Sequence, residues 1–188
     1  MKKIIVGITG ASGAPYAKRL LEILDGHVEL HVVYSTTSPL VFTEELGGSL
    51  KEFLASLKSV TVHNHKNFLS PIASGSNKFD ATVIVPCSMK TLGQVATGVG
   101  ETLLTRVCDI ALKERRQLIM VPREAPFSTV HLENMLRISQ VGGIILPAAP
   151  GFYHKPQDVA DIVDFIVNRI LLLLDLPIEI VRPWKAEN

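Results

Sequence analysis

Thr9-Gly10-Ala11-Ser12-Gly13 breaks a β-branched apolar run and leads into a segment of helical periodicity that begins at Ala14. Strand, glycine-rich turn and helix in that order offer an anion close backbone approach, a serine hydroxyl and the unpaired N–H groups of a helix start. Ser12 stands where it can also cap that helix. The spacing Gly7-x-x-Gly10-x-x-Gly13 is not the G-x-G-x-x-G of dinucleotide sites, and the Lys-Ser/Thr ending of a P-loop is missing. A mononucleotide such as FMN therefore stays open, beside the plainer reading of a βα turn whose glycines serve geometry alone.

In an open parallel sheet ligands sit beyond the carboxyl ends of the strands, so the residues after each strand-like run belong together. Those runs are followed by Ser35-Thr-Thr-Ser38, Pro86-Cys-Ser-Met-Lys-Thr91, Pro122-Arg-Glu-Ala-Pro126 and Pro147-Ala-Ala-Pro-Gly-Phe-Tyr153. Singly, Ser35, Ser88 and Thr91 are as well explained as helix caps. Jointly they assemble hydroxyl donors around Arg123, whose fork suits a phosphate. A second anion-binding set comprises Lys113, Tyr153 and Arg169. Arg169 interrupts an apolar helix face and needs a counter-charge, from a ligand or from a structural carboxylate. Lys113, followed by Glu114, Arg115 and Arg116, reads on its own as a solvated helix end favoured by the dipole.

Metal chemistry has little to build on. His63-x-His65 lacks further ligands nearby, His131 and Glu133 do not form H-E-x-x-H, and there is no aspartate-rich stretch to hold Mg²⁺ on a diphosphate. Without a G-x-S-x-G elbow, Ser-His-Asp hydrolysis is disfavoured.

The elements that must position these residues alternate along the chain. Strand-like runs at 3–9, 28–34, 59–63, 81–86, 117–121 and 143–147 are separated by helical patterns at 14–24, 39–46, a turn or two after Ser88, 102–115, 129–141 and 157–175. The expected fold is a three-layer α/β/α Rossmann-like, flavodoxin-related domain spanning 1–188, with a mostly parallel six-stranded sheet buried on both faces. Segment 63–78 reads as a long irregular connection. Nineteen Lys and Arg against 18 Asp and Glu leave no basic block for nucleic acid. Cys87 and Cys108 carry no ligand or redox spacing and read as buried small hydrophobes in a reducing, cytoplasmic protein. The N-terminus lacks a signal-peptide pattern, and the apolar stretch 162–174 is interrupted by Asp164, Asn168 and Arg169, so no membrane span is expected. A hydrophobic fraction of 47% is high for a small monomer and points to a homo-oligomer.

The longer motifs carry a resemblance. Gly7-Ile-Thr-Gly-Ala-Ser-Gly13, Pro86-Cys-Ser-Met-Lys-Thr-Leu92, Leu112-Lys-Glu-Arg-Arg116, Val121-Pro-Arg-Glu-Ala-Pro-Phe-Ser128, His131-Leu-Glu-Asn-Met135, Pro147-Ala-Ala-Pro-Gly-Phe-Tyr-His154 and Arg182-Pro-Trp184 resemble the UbiX-like flavin prenyltransferases from first strand to last helix. The resemblance implies a large homo-oligomer, often a dodecamer, with FMN at subunit junctions. By motif, Gly10, Ala11, Ser12, Ser35, Ser88, Met89, Lys90, Thr91 and Arg123 would bind FMN. Lys113, Arg123, Glu124, Tyr153 and Arg169 would surround the phosphate of dimethylallyl monophosphate, with Phe68 and Trp184 as further substrate contacts and Glu45 near the flavin among the catalytic residues. Phe68 stands where some members carry tryptophan. The implied reaction joins dimethylallyl to N5 and C6 of reduced FMN without a metal, and the prenylated FMN serves UbiD-type decarboxylases. Two alternatives are an FMN-dependent decarboxylase of the same fold and a non-catalytic flavin carrier.

Overall fold

The protein is described here by a computed structural model, covering residues 1–181. Among those residues six strands form one sheet: β1 (Lys3–Ile8), β2 (Glu29–Tyr34), β3 (Val60–His63), β4 (Ala81–Cys87), β5 (Gln117–Pro122) and β6 (Ile144–Ile145). Their order is β3-β2-β1-β4-β5-β6, and every pairing is parallel. The expectation of a mostly parallel sheet is thus met by a fully parallel one. The order reverses between β1 and β4, which is the switch point where a doubly wound sheet opens a crevice beyond its carboxyl ends.

Alternation along the strands builds two cores. Ile4, Val6 and Ile8 of β1, with Leu30, Val32, Val83, Val85, Ile119 and Val121, face α1 (Ala14–Leu24), α2 (Ser38–Leu46), α3 (Leu50–Ser56) and α7 (Val159–Leu173). Ile5, Val33, Ile84, Leu118 and Met120 face α4 (Met89–Ala96), α5 (Leu103–Lys113) and α6 (Thr129–Gln140). Strands buried on both sides need continuous apolar runs, and Ala81–Cys87 is buried at every position. Cys87 and Cys108 lie in the second core as free thiols, and burial pushes both pKa values up. No helix among the described residues is long and apolar enough to cross a membrane.

Helix α3 and strand β6 differ from the sequence expectation. Helix α3 falls between the helical pattern at 39–46 and the strand-like run at 59–63, where the sequence pattern marks no element, although Ser49 accepts a hydrogen bond from the Glu52 amide in the manner its spacing allows. The turn or two expected after Ser88 is met by α4, eight residues or about two turns long. The last strand shrinks to Ile144–Ile145, because it pairs with Ile119 and Met120 on one side alone and lies at the sheet edge.

At the β2–β3 border the imidazoles of His31 and His63 stack, with His31 Nδ1 2.8 Å from His63 Nε2. His31 Nε2 lies 3.0 Å from Glu29 Oε1, and the Ser70 hydroxyl 2.8 Å from His63 Nδ1. With both rings neutral, Ser70 donates to His63, His63 to His31 and His31 to the carboxylate, so each contact has one proton. Burial, then the neighbouring His31 charge, pushes the His63 pKa down. A folded value below the unfolded one, about 6.5, gives stability that is complete above that pH and lost as pH falls through the folded value. The Tm should therefore fall more steeply from pH 7 to 5 in the wild type than in His63→Asn. Parallel pH slopes would remove this assignment.

Candidate functional site

Beyond the carboxyl ends of β1, β2 and β4 lies a cleft of about 190 Å³. Five residues expected to bind FMN line it: Gly10 from the β1 turn, Ser35 after β2, and Ser88, Lys90 and Thr91 at the start of α4. Ser88 caps α4 by accepting the Thr91 amide at 3.3 Å, and its hydroxyl donates to Thr91 Oγ1 at 3.1 Å. Ser35 Oγ sits 3.1 Å from Thr37 Oγ1 and 2.8 Å from Ser38 Oγ, and Ser38 in turn donates to the Ile8 carbonyl at 2.7 Å. The result is a hydroxyl-rich wall tied back to the end of β1. Gly10 is required by this closeness: a Cβ there would stand 2.0 Å from Thr37 Oγ1.

The cleft also includes Thr36, Thr37, His65, Gln94, Glu101, Thr102 and Leu104. Thr36 and Thr37 belong to the hydroxyl run 35–38 that closes the second strand, a position legible in the sequence. His65 and Glu101 arrive on irregular connections, where local periodicity gives no direction to a side chain. Gln94 donates to Glu101 at 3.1 Å across the mouth.

Two expectations about the first turn need correction. Gly13, with φ of 122°, is the N-cap of α1, no side-chain cap is made, and Ser12 is exposed. The cap comes from Glu45 at the end of α2, whose carboxylate accepts the Gly13 amide at 2.9 Å and the Ala14 amide at 2.8 Å. A carboxylate already satisfies the orphan donors and the dipole of this helix start. Glu45 thus holds two helices together in this subunit, and an incoming phosphate must find its donors elsewhere in the cleft. Arg123 is near at hand: its Nε donates to the Ser12 carbonyl at 3.2 Å. Ala11 is buried in the same turn and Met89 opens α4 beside Ser88.

The second anion-binding set is divided within the subunit. Helix α5 begins beside the cleft at Thr102 and ends at Lys113, eleven residues and roughly 16 Å further along its axis. Lys113 therefore lies at the amino ends of the strands, paired with Glu114 and close over Gly75. Arg116 donates to the Gly75 and Asn77 carbonyls at 2.6 and 3.0 Å and covers the Phe79 ring, while Arg106 Nε reaches the Ala73 carbonyl at 3.3 Å. Three cations thus gather around the segment before β4. Tyr153, half exposed, meets Phe165 of α7 edge to face at 5.6 Å. Arg169 lies four residues after Phe165, on the same helical face, and is exposed. Tyr153 and Arg169 so belong to one surface and Lys113 to another, while Glu124, also exposed, comes after β5 on the cleft side. No ion pair of Arg169 appears among the described residues, and the ion pair on α7 is made instead by Asp164 with Arg19, at 2.6 Å. Phe68 is 48% exposed on the connection after β3 and does not line the cleft. Trp184 lies outside the described residues.

A hydroxyl-lined cradle, a glycine pressed against its wall and an arginine beside it fit a flavin mononucleotide. The cleft falls below the ~300 Å³ of an ordinary small-molecule pocket.

Known proteins are similar to this chain over nearly its whole length. The Flavoprotein family pattern matches residues 1–171. The flavin prenyltransferase UbiX of Methanocaldococcus jannaschii is 50% identical over 184 residues, 97% of this chain and 98% of the relative. A dodecameric FMN-dependent UbiX-like decarboxylase from Escherichia coli O157:H7 superposes with a TM-score of 0.93 at 40% identity, covering 99% of this chain and 100% of that one. A UbiX protein in complex with FMN and dimethylallyl pyrophosphate superposes with a TM-score of 0.91 at 37% identity, covering 98% and 99%. With identity of 46 to 50% over 97 to 100% of its length to curated relatives, the chain belongs to the UbiX family of flavin prenyltransferases.

Proposed function

We propose that this protein joins a dimethylallyl group, carried by dimethylallyl monophosphate, to N5 and C6 of reduced FMN, in a homo-oligomer whose sites lie between subunits. The observation that carries the reading is the pairing of a hydroxyl-lined flavin cleft with a second, spatially separate set of cations. A flavin carrier would need the first alone. Gly10, Ser35, Ser88, Thr91 and Arg123 hold the flavin in this reading, with Ala11, Ser12, Met89 and Lys90 beside them. Bound reduced FMN supplies the nucleophilic N5 and C6.

The residues of the second set act on the departing group. When the allylic C–O bond breaks, phosphate leaves with the electron pair, and Lys113, Arg123 and Arg169 neutralise the charge that develops on it. Tyr153 or Glu124 manages the proton that the phosphate or the ring must exchange. Aromatic faces stabilise an allylic cation and exclude water from it. Lys113 reaches this centre from a neighbouring copy, since its own cleft is a helix length away. Exposed Val130, Leu132 and Leu136 on α6, with Phe152 and the α7 residue Val159, supply apolar surface for such contacts. The assembly we favour is a dodecamer, as in the Escherichia coli relative, and the product suits a UbiD-type decarboxylase.

Incubation of the protein with reduced FMN and dimethylallyl monophosphate without oxygen, with mass spectrometry of the flavin afterwards, tests this. Gain of one C5H8 unit with phosphate release supports it. Unchanged flavin with both the monophosphate and the pyrophosphate, FMN binding being confirmed, would favour a decarboxylase, the activity in the name of the Escherichia coli relative.

A further inference from the structure

The β1 turn and the β4 loop, which both line the cleft, are joined by one buried side chain. Thr9, 1% exposed, donates from Oγ1 to the Pro86 carbonyl at 2.7 Å and accepts the Ser88 amide at 2.8 Å. Its own amide points to the same Pro86 carbonyl at 3.3 Å. Residue pairing between β1 and β4 ends at Gly7 and Ile84. Past that point the two chains must part to open the crevice, and the Thr9 side chain carries their connection further. A hydroxyl has one proton to give and lone pairs to receive, and here both are used on backbone groups of the facing loop. The β-branch restricts χ1, so the bridge has one length.

We infer that Thr9 is a positioning residue for the flavin: through Pro86 and Ser88 it fixes the distance between the Gly10 and Ser88 walls. The inference rests on the cleft being the flavin site. It assigns Thr9 no contact with FMN. Its effect passes through the Ser88 loop, which starts α4 and brings Thr91 and Lys90 to the cleft. Without the hydroxyl the Ser88 amide is left without its acceptor, and the loop must move to find another.

Titration of FMN into the purified full-length chain, monitored by flavin fluorescence, tests this. Thr9→Val keeps the shape and removes both side-chain hydrogen bonds. It should weaken FMN binding by roughly 10- to 100-fold, the effect of one or two net hydrogen bonds. Thr9→Ser restores the hydroxyl and should bind within about threefold of wild type, since only a methyl group is lost. If Thr9→Val does not fold, Thr9→Cys, with a weakly bonding thiol, should show a loss between the two. Asn168→Ala separates positioning from general destabilisation: Asn168 accepts the Ile180 amide at 3.2 Å on the part of α7 remote from the cleft. That variant should melt earlier and bind FMN as wild type does. Wild-type affinity in Thr9→Val, equal weakening in Asn168→Ala, or no recovery in Thr9→Ser each overturns the inference alone. A wild-type chain that does not bind FMN overturns the flavin reading and this inference together.

Discussion

Lys113→Ala should lower kcat/KM for prenyl transfer by roughly 10²- to 10³-fold, the usual cost of removing one group that stabilises charge in the transition state, while the purified protein keeps its yellow FMN. Position separates the two effects. Lys113 ends α5 at the amino side of the sheet, whereas the flavin cleft lies at the carboxyl side. Loss of FMN with activity would show that Lys113 serves the flavin. The same geometry makes a stronger claim about where the lysine works. Mixed oligomers of Lys113→Ala chains and chains with a disabled cleft should recover activity, because some sites combine an intact cleft from one chain with an intact lysine from the other. With two chains contributing at random, about one site in four is complete. No recovery in well-mixed oligomers would place Lys113 and the cleft in the same chain. Arg169→Ala should behave as Lys113→Ala does in the first experiment, since Arg169 is exposed on α7 and lies outside the cleft lining.

Much of this arrangement is legible in the sequence because buried parallel strands and glycine turns leave strong local marks. The runs at β1 and β4 are almost wholly apolar, and the turns at the carboxyl ends of β1, β2 and β4 are short and rich in hydroxyls, so Gly10, Ser35, Ser88 and Thr91 fall into one place once a parallel sheet is assumed. Helix α3 is less visible: its buried face is reduced to Leu50 and Leu54, too few positions to establish a period, and the Ser49 and Glu52 signal is short. Glu45 shows a different limit. It sits near the far end of α2, yet its carboxylate closes the start of α1, more than thirty positions earlier in the chain. Long-range side-chain capping has no periodicity to read. His65 is hidden for a similar reason, since its place in the cleft depends on how the 63–78 connection lies. The second anion-binding set illustrates the reverse case: residue types point to one phosphate site, and the length of α5 shows that Lys113 lies a helix away from the cleft of its own chain.

Gly10→Ala should reduce FMN affinity by about tenfold or more, through overpacking at the wall between the β1 and β2 ends. The added Cβ would stand 2.0 Å from Thr37 Oγ1 and 2.7 Å from Thr37 Cβ. Neither distance is tolerable, and the second cannot be relieved by turning the hydroxyl, because Cβ is fixed by the backbone. Thr37 must then retreat, which breaks its 3.1 Å contact with Ser35 and displaces the hydroxyl wall that faces the ligand. The steric origin makes a graded rescue testable. In the Gly10→Ala background, Thr37→Ala leaves the offending Cβ in place and should restore little. Thr37→Gly removes both close atoms, and the next neighbour of the new methyl group, the Thr37 carbonyl carbon, is 3.8 Å away, an ordinary contact. Thr37→Gly should therefore recover most of the lost affinity, less the contribution of the missing hydroxyl. FMN titrations of the three variants decide the matter: equal recovery by alanine and glycine would mean that the hydroxyl alone is at fault, and undiminished binding in Gly10→Ala would mean that the two strand ends are free to separate.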